Sequence, residues 1–249
     1  MKKITIALGL IASLSNLLYA AETVHWGYEG EVAASQWGQL SPQYQLCGSG
    51  KNQSPINITD AHKVTQKHKL KIQYEVSPHD ILFNGHTVQV NTQDQSDYVL
   101  LDNDKFYLQQ FHFHTPSENQ IHAKSYPMEI HFVNKNAQEQ LTVLAVMFEL
   151  GKENREWKSL WHDLSPKEND DRVLSKPIDL DDLLPKQRDY YRTTGSLTTP
   201  PCTEGVNWII FKHPITISKQ QLEAFKTLLK HHANNRPIQP NNGRVVLDD

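Results

Sequence analysis

The chain has 249 residues, 25 Lys and Arg against 28 Asp and Glu, a formal charge of −3 and two cysteines. That length suits one large domain, because β-rich folds reach about 200 to 250 residues undivided. No basic patch or acidic block stands out, so nucleic acid is not the expected partner.

Residues 1–20 read as a separate object. Lys2 and Lys3 form a basic n-region, Ile4 to Leu14 is mostly apolar, and Leu18-Tyr19-Ala20 resembles a small-residue cleavage site. The apolar run is too short to span a bilayer and is broken by Ser13, Ser15 and Asn16. A secretory signal peptide is expected, with a mature chain of 21–249 that is periplasmic or secreted. No later stretch reaches the roughly 20 apolar residues of a membrane span. In an exported chain the pair Cys47 and Cys202 reads as one disulfide, against the alternative of two buried thiols.

From Ala21 to Ile58 no period of 2 or 3.6 is sustained, and Trp26, Tyr28, Trp37 and Tyr44 look like anchors of an irregular arm. Alternating runs begin at Leu70 with L-K-I-Q-Y, followed by I-L-F-N-G-H-T-V-Q-V, in which Asn84-Gly85 signals a hairpin. Tyr98 to Leu101, a D-N-D turn and Lys105 to His114 form a second pair. L-T-V-L-A-V-M-F-E-L at 141–150 is apolar enough for a central strand buried on both faces, and V-N-W-I-I-F-K at 206–212 is another. Arg155 to Leu164 has Trp157, Leu160, Trp161 and Leu164 at helical spacing. Ser218 with Gln221 forms a capping box before Leu222, Phe225, Leu228 and Leu229. The expected fold is a single, mainly β (α+β) domain around a large, mostly antiparallel twisted sheet, with a few short helices outside it.

Chemistry concentrates in Gln109 to Val133. His112 and His114 are two residues apart, as are Glu129 and His131, and on a strand residues i and i+2 leave the same face. Neighbouring strands would bring three imidazoles to one point, the donor set of an open, catalytic zinc site. Histidines on strands also serve as hydrogen-bonded core residues. T-T-P-P at 198–201 taken alone is a turn before a proline pair.

Taken together, H-W-G-Y-E-G at 25–30, Q-S-P-I-N-I at 53–58, N-G-H at 84–86, Q-F-H-F-H at 110–114, E-I-H-F-V at 129–133, L-T-V-L-A-V at 141–146, G-S-L-T-T-P-P at 195–201 and N-R-P-I-Q-P at 235–240 resemble, in order, landmarks of the α class of carbonic anhydrases. The resemblance covers essentially the whole mature chain. It implies reversible hydration of carbon dioxide to bicarbonate and a proton, with one Zn2+ held by His112, His114 and His131. The metal makes hydroxide available near neutral pH, an effect for which carbonic anhydrase is itself the standard instance.

The resemblance further implies that Gln110 and Glu129 orient His112 and His131, and that Thr198 is a gatekeeper whose hydroxyl donates to Glu118. T-P-S-E places Glu118 four residues after His114, a shorter loop than animal enzymes have and one that bacterial members carry. His86 matches the proton shuttle, since an imidazole can accept and release a proton near neutrality; His25 could assist. Val133, Val143, Leu197, Val206 and Trp208 match an apolar wall for CO2, and Thr199 would contact bicarbonate. Sulfonamide-type and anion inhibitors are expected, and a homodimer is left open.

Two rivals remain. A cupin-type metal oxygenase would use H-F-H-T-P-S-E as its His-x-His-x3-Glu opening, but Phe106 and Ser125 stand where its flanking glycines belong. An inactive binding protein on the same fold would have lost a zinc histidine, whereas all three are present with Thr198 and Glu118.

Overall fold

The computed structural model describes residues 24–65, 70–77, 79–92 and 95–249, so the expected leader lies outside the described residues. Its main elements are strands β1 (His79–Phe83), β2 (Val88–Thr92), β3 (Tyr98–Leu101), β4 (Asp104–His114), β5 (Met128–Lys135) and β6 (Leu141–Leu150), then helix α1 (Arg155–Asp163). After these come β7 (Tyr190–Ser196), β8 (Glu204–Phe211), β9 (Ile215–Ile217), helix α2 (Lys219–Leu228) and β10 (Leu247–Asp248). One large sheet runs β1-β2-β4-β5-β6-β8-β7-β10, closed at its ends by the two-residue strands Arg172–Val173 and His62–Lys63. Most pairs of this sheet are antiparallel; β6 pairs in parallel with both β8 and β9, and β10 pairs in parallel with His62–Lys63.

The alternation read from the sequence sorts the residues of β4 and β5 between the two faces. Phe111, Phe113, Ile130 and Phe132 enter one core cluster with Leu144, Val146 and Phe148. Into it α1 brings Trp157 and Leu160, and α2 brings Leu222 and Phe225; the Trp157 ring meets Phe113 edge-on at 4.6 Å. The opposite face carries the histidines, beside a second cluster that contains Val143, Ala145, Met147, Val206 and Trp208. A slip of one residue would exchange four buried apolar side chains, worth about 1.5–3 kcal/mol each, for imidazoles and a carboxylate, so the register is locked. In the middle of the sheet β6 is buried from Thr142 to Phe148 on both faces, as its apolar run requires.

Local chemistry fixes the turns. Asp102 and Asn103 both have positive φ (53° and 77°), the requirement of a two-residue hairpin turn between β3 and β4. The Asn84-Gly85 hairpin forms with a longer, four-residue loop. Asn84 Oδ1 accepts from the N–H groups of His86 (3.0 Å) and Thr87 (2.9 Å), and Gly85 takes φ +85°. His86 therefore stands on a turn stiffened by its own sequence. The capping box of α2 is present: the Ser218 hydroxyl accepts from Gln221 N–H, and Gln221 Oε1 accepts from Ser218 N–H.

The N-terminal arm consists of short helical turns at Gly30–Val32, Trp37–Leu40, Pro42–Tyr44 and Leu46–Ser49. Trp37, Tyr44 and Cys47 are buried with Cys202 in a third cluster, and Cys47 and Cys202 are disulfide-bonded. Among the described residues no helix is long and apolar enough to cross a membrane.

Candidate metal centre and catalytic cleft

In the antiparallel pair β4–β5, His112 lies opposite His131 and His114 opposite Glu129. This register brings one nitrogen from each of His112, His114 and His131 within 4.8 Å of the others. The remaining ring nitrogens are all occupied. His112 Nδ1–H donates to Gln110 Oε1 (2.8 Å), His114 Nδ1–H to the Asn234 carbonyl (2.7 Å) and His131 Nε2–H to Glu129 Oε1 (2.8 Å). Because those oxygens can only accept, His112 and His114 keep a lone pair on Nε2 and His131 on Nδ1. Glu129 is held in turn by Asn119 Nδ2–H on Oε1 (2.7 Å), and by the N–H groups of Glu118 (2.7 Å) and Asn119 (2.8 Å) on Oε2.

Electrostatics fits the donor set to a cation. Burial lowers the pKa of all three imidazoles, and for His112 and His131 the charges of neighbouring histidines lower it further, so the rings are neutral ligands. Burial pushes the Glu118 carboxyl up to about 8 and the Glu129 carboxyl up to about 7, against the donors that hold them. Two buried acids facing three neutral imidazoles leave a site short of positive charge, which a divalent ion would supply. Among the described residues His114 Nε2 and Glu118 Oε2 are buried atoms without a hydrogen-bond partner, and they lie 3.6 Å apart at this point. The residues present therefore fit zinc: three neutral nitrogen donors, each oriented from behind.

Glu118 does not belong to the convergent ligand group. Its Oε1 accepts from the Arg236 N–H (2.8 Å), and the Thr198 hydroxyl beside it lowers its pKa. This is the environment of a hydrogen-bond acceptor, and it differs from the ligand role a cupin motif would assign. Thr198 is buried, and Thr199 lines the cleft. Of the apolar wall, Val143, Val206 and Trp208 are buried, with Val133 and Leu197 packed against them. The Trp208 ring meets His131 edge-on at 4.9 Å. The cleft itself, about 100 Å3, is lined by His112, His114, Gln110 and Thr199 with His86 at its side. The His86 ring is half-buried and stacks on Trp26 with centroids 3.9 Å apart; the His25 ring is 6.4 Å away.

Three contributors went unseen in the sequence. Asn234 acts on His114 through its backbone carbonyl, while its side chain receives Thr115 N–H (2.7 Å) and donates to the carbonyls of His86 (3.0 Å) and Phe113 (2.9 Å). Arg236 is buried, donating to Gln53 Oε1, the Ser54 carbonyl and the Cys47 carbonyl. Asn119 clamps Glu129. The only signal for the first two was their place in or beside the N-R-P-I-Q-P segment.

The model of the eukaryotic-type carbonic anhydrase family matches residues 32–249. A carbonic anhydrase of Pectobacterium atrosepticum is 47% identical over 98% of both chains. One of Neisseria gonorrhoeae is 45% identical over 90% of this chain and 88% of its own. Among solved structures, the α-carbonic anhydrase of Thermovibrio ammonificans in complex with the inhibitor sulfanilamide superposes with a TM-score of 0.87 at 45% identity, covering 91% of this chain and 100% of that one.

Proposed function

Since this chain belongs to the eukaryotic-type carbonic anhydrase family, and so catalyses the zinc-dependent interconversion of carbon dioxide and bicarbonate, we propose that its residues divide the reaction as follows. His112, His114 and His131 hold the zinc, with Gln110, the Asn234 carbonyl and Glu129 fixing the three tautomers. Bound zinc supplies Lewis acidity that makes a hydroxide nucleophile available from water near neutral pH. Thr198 has a single hydroxyl proton; with the positive charge of the bound ion keeping Glu118 ionised against its burial, giving that proton to Glu118 would leave the Thr198 oxygen free only to accept, and so would orient the nucleophile toward the substrate. CO2 has no group to grip, so it rests on the wall of Val133, Val143, Leu197, Val206 and Trp208, and Thr199 contacts the bicarbonate formed. His86 carries the released proton from the cleft to solvent.

The observation that carries this reading is the convergence of three neutral imidazoles, each held from behind, on a buried point where His114 Nε2 has no hydrogen-bond partner among the described residues. The test is stopped-flow CO2 hydration by the mature protein, with metal analysis and a sulfonamide titration. Expected are one zinc per chain, hydration far above buffer, and inhibition; a zinc-loaded protein with no hydration would falsify it. Sulfonamide binding is proposed because the Thermovibrio enzyme of like structure is in complex with sulfanilamide.

Export to the periplasm or medium after cleavage following Ala20 accords with the basic, then apolar N-terminus and with the Cys47–Cys202 disulfide. Intact mass of the exported protein checks it, and light scattering tests whether the chain forms a homodimer.

A further inference from the structure

A second cavity, of about 360 Å3, lies outside the cleft and shares one wall with it. Trp26, Tyr28 and His86 line both spaces, so His86 stands at the boundary between the metal-side cleft and the outer cavity and is the residue of the three that can carry a proton near neutral pH. Trp26 stacks on one face of the ring, and the His86 backbone carbonyl receives Asn234 Nδ2–H. On the outer side stands Glu168. Its segment is pinned to the end of β1 by a bridge between Phe83 and Glu168 and by Asn169 N–H donating to the Phe83 carbonyl (2.7 Å). The carboxylate is carried so close over Gly85, the residue before His86, that a methyl group on Gly85 would lie 2.6 Å from Oε1.

The other charged or titratable groups lining the outer cavity are His25, Tyr28, Glu29, Lys230 and His232, and burial raises the Tyr28 pKa, so its phenol stays neutral. Glu29 is already engaged, at 2.7 Å from His232 Nδ1. The Glu168 side chain makes no hydrogen bond or ion pair among the described residues, and its charge acts on the neighbouring His86 imidazole.

We propose that Glu168 is the counter-charge of the proton relay: it holds the positive charge His86 takes up and makes the outer cavity the exit by which the proton reaches solvent. This rests on the reading of His86 as the shuttle. Each hydration releases one proton with its bicarbonate. His86 accepts that proton on a ring nitrogen and becomes imidazolium beside Glu168. It then gives up a proton to a solvent buffer base in the outer cavity and returns to neutral imidazole. Burial and the neighbouring His25 disfavour the charged ring, and Glu168 opposes them. Glu168 is thus a positioning residue acting through His86, and it does not touch the reacting atoms.

The test compares the zinc-loaded mature protein with E168Q, E168K and H86A. Turnover in weak buffer, kcat/KM for CO2 and the His86 titration followed by NMR are measured at low and high salt. Expected for E168Q is a weak-buffer kcat reduced roughly two- to fivefold, the range an ordinary exposed charge pair gives. E168K should lose more, kcat/KM should be unchanged, added imidazole should restore turnover, and His86 should titrate at lower pH. Because Glu168 is exposed, the difference should shrink in high salt. An E168K protein with wild-type weak-buffer kcat and an unmoved His86 titration overturns the proposal, as does a fall of kcat/KM in step with kcat. If H86A slows turnover and E168K does not, only the role of Glu168 is lost; if H86A itself turns over like the wild type in weak buffer, the shuttle reading fails with it.

Discussion

Glu129 holds an imidazole through one oxygen and is clamped by three donors from Glu118 and Asn119, so its contribution to the metal can be isolated. Glu129→Gln keeps the shape but removes the charge that favours His131 as a ligand, and zinc affinity is expected to fall roughly 10- to 100-fold. Competition with a chelator measures it, and an unchanged affinity would remove Glu129 from the metal's support. Glu129 and the three histidines could be found in the sequence because a strand displays its residues with period two. Asn234 could not, because a carbonyl is common to every residue and its role depends on where the chain returns. Arg236 was hidden for another reason. Hydropathy places guanidinium groups outside, yet this one is buried because Cys47, Ser54 and Gln53 supply oxygens for its donors.

At the scale of elements, the sequence specified the parts whose stability is local or periodic. The long strands β4, β5 and β6, the D-N-D turn and the α2 capping box stand where the spacing puts them. The arm at 24–58 was legible only as aromatic and irregular, since its short helical turns gain their stability from contacts far along the chain. Glu204 at the start of β8 is one such contact: Oε1 accepts from Asn52 N–H (2.7 Å) and Gln53 Nε2–H (3.0 Å). Burial raises its pKa, but Gln53 and the N–H groups of Asn52 and Lys51 lower it more, leaving it below the usual carboxyl range. A carboxyl depressed in the folded state stabilises above its unfolded pKa, about 4.3, and that contribution is lost as pH falls through the folded value. Glu204→Gln is therefore expected to cost about 1 kcal/mol at neutral pH and little in acid. Urea unfolding at the two pH values checks this, and a pH-independent cost would mean that the charge does not matter.

For the molecule as a whole, the Cys47–Cys202 bond spans 155 positions and ties the arm to the segment following Thr199, whose carbonyl accepts from Cys202 N–H (2.9 Å). Replacing both cysteines by serine is expected to cost about 2–5 kcal/mol in urea unfolding and to weaken sulfonamide binding. An equally stable variant would show that the arm docks without the bond. Asn234 has a consequence in time. Chains are made from the N-terminus, and His112, His114 and His131 exist long before the residues that complete their surroundings: the Asn234 carbonyl, the Arg236 N–H on Glu118, and β10, which pairs with β7. A nascent chain therefore carries all three proposed ligands while one imidazole lacks its partner and one sheet edge lies open, and high-affinity capture of zinc is expected to wait for residues 234–249. A chain ending at Ala233 should bind zinc far more weakly than the full chain despite carrying every ligand.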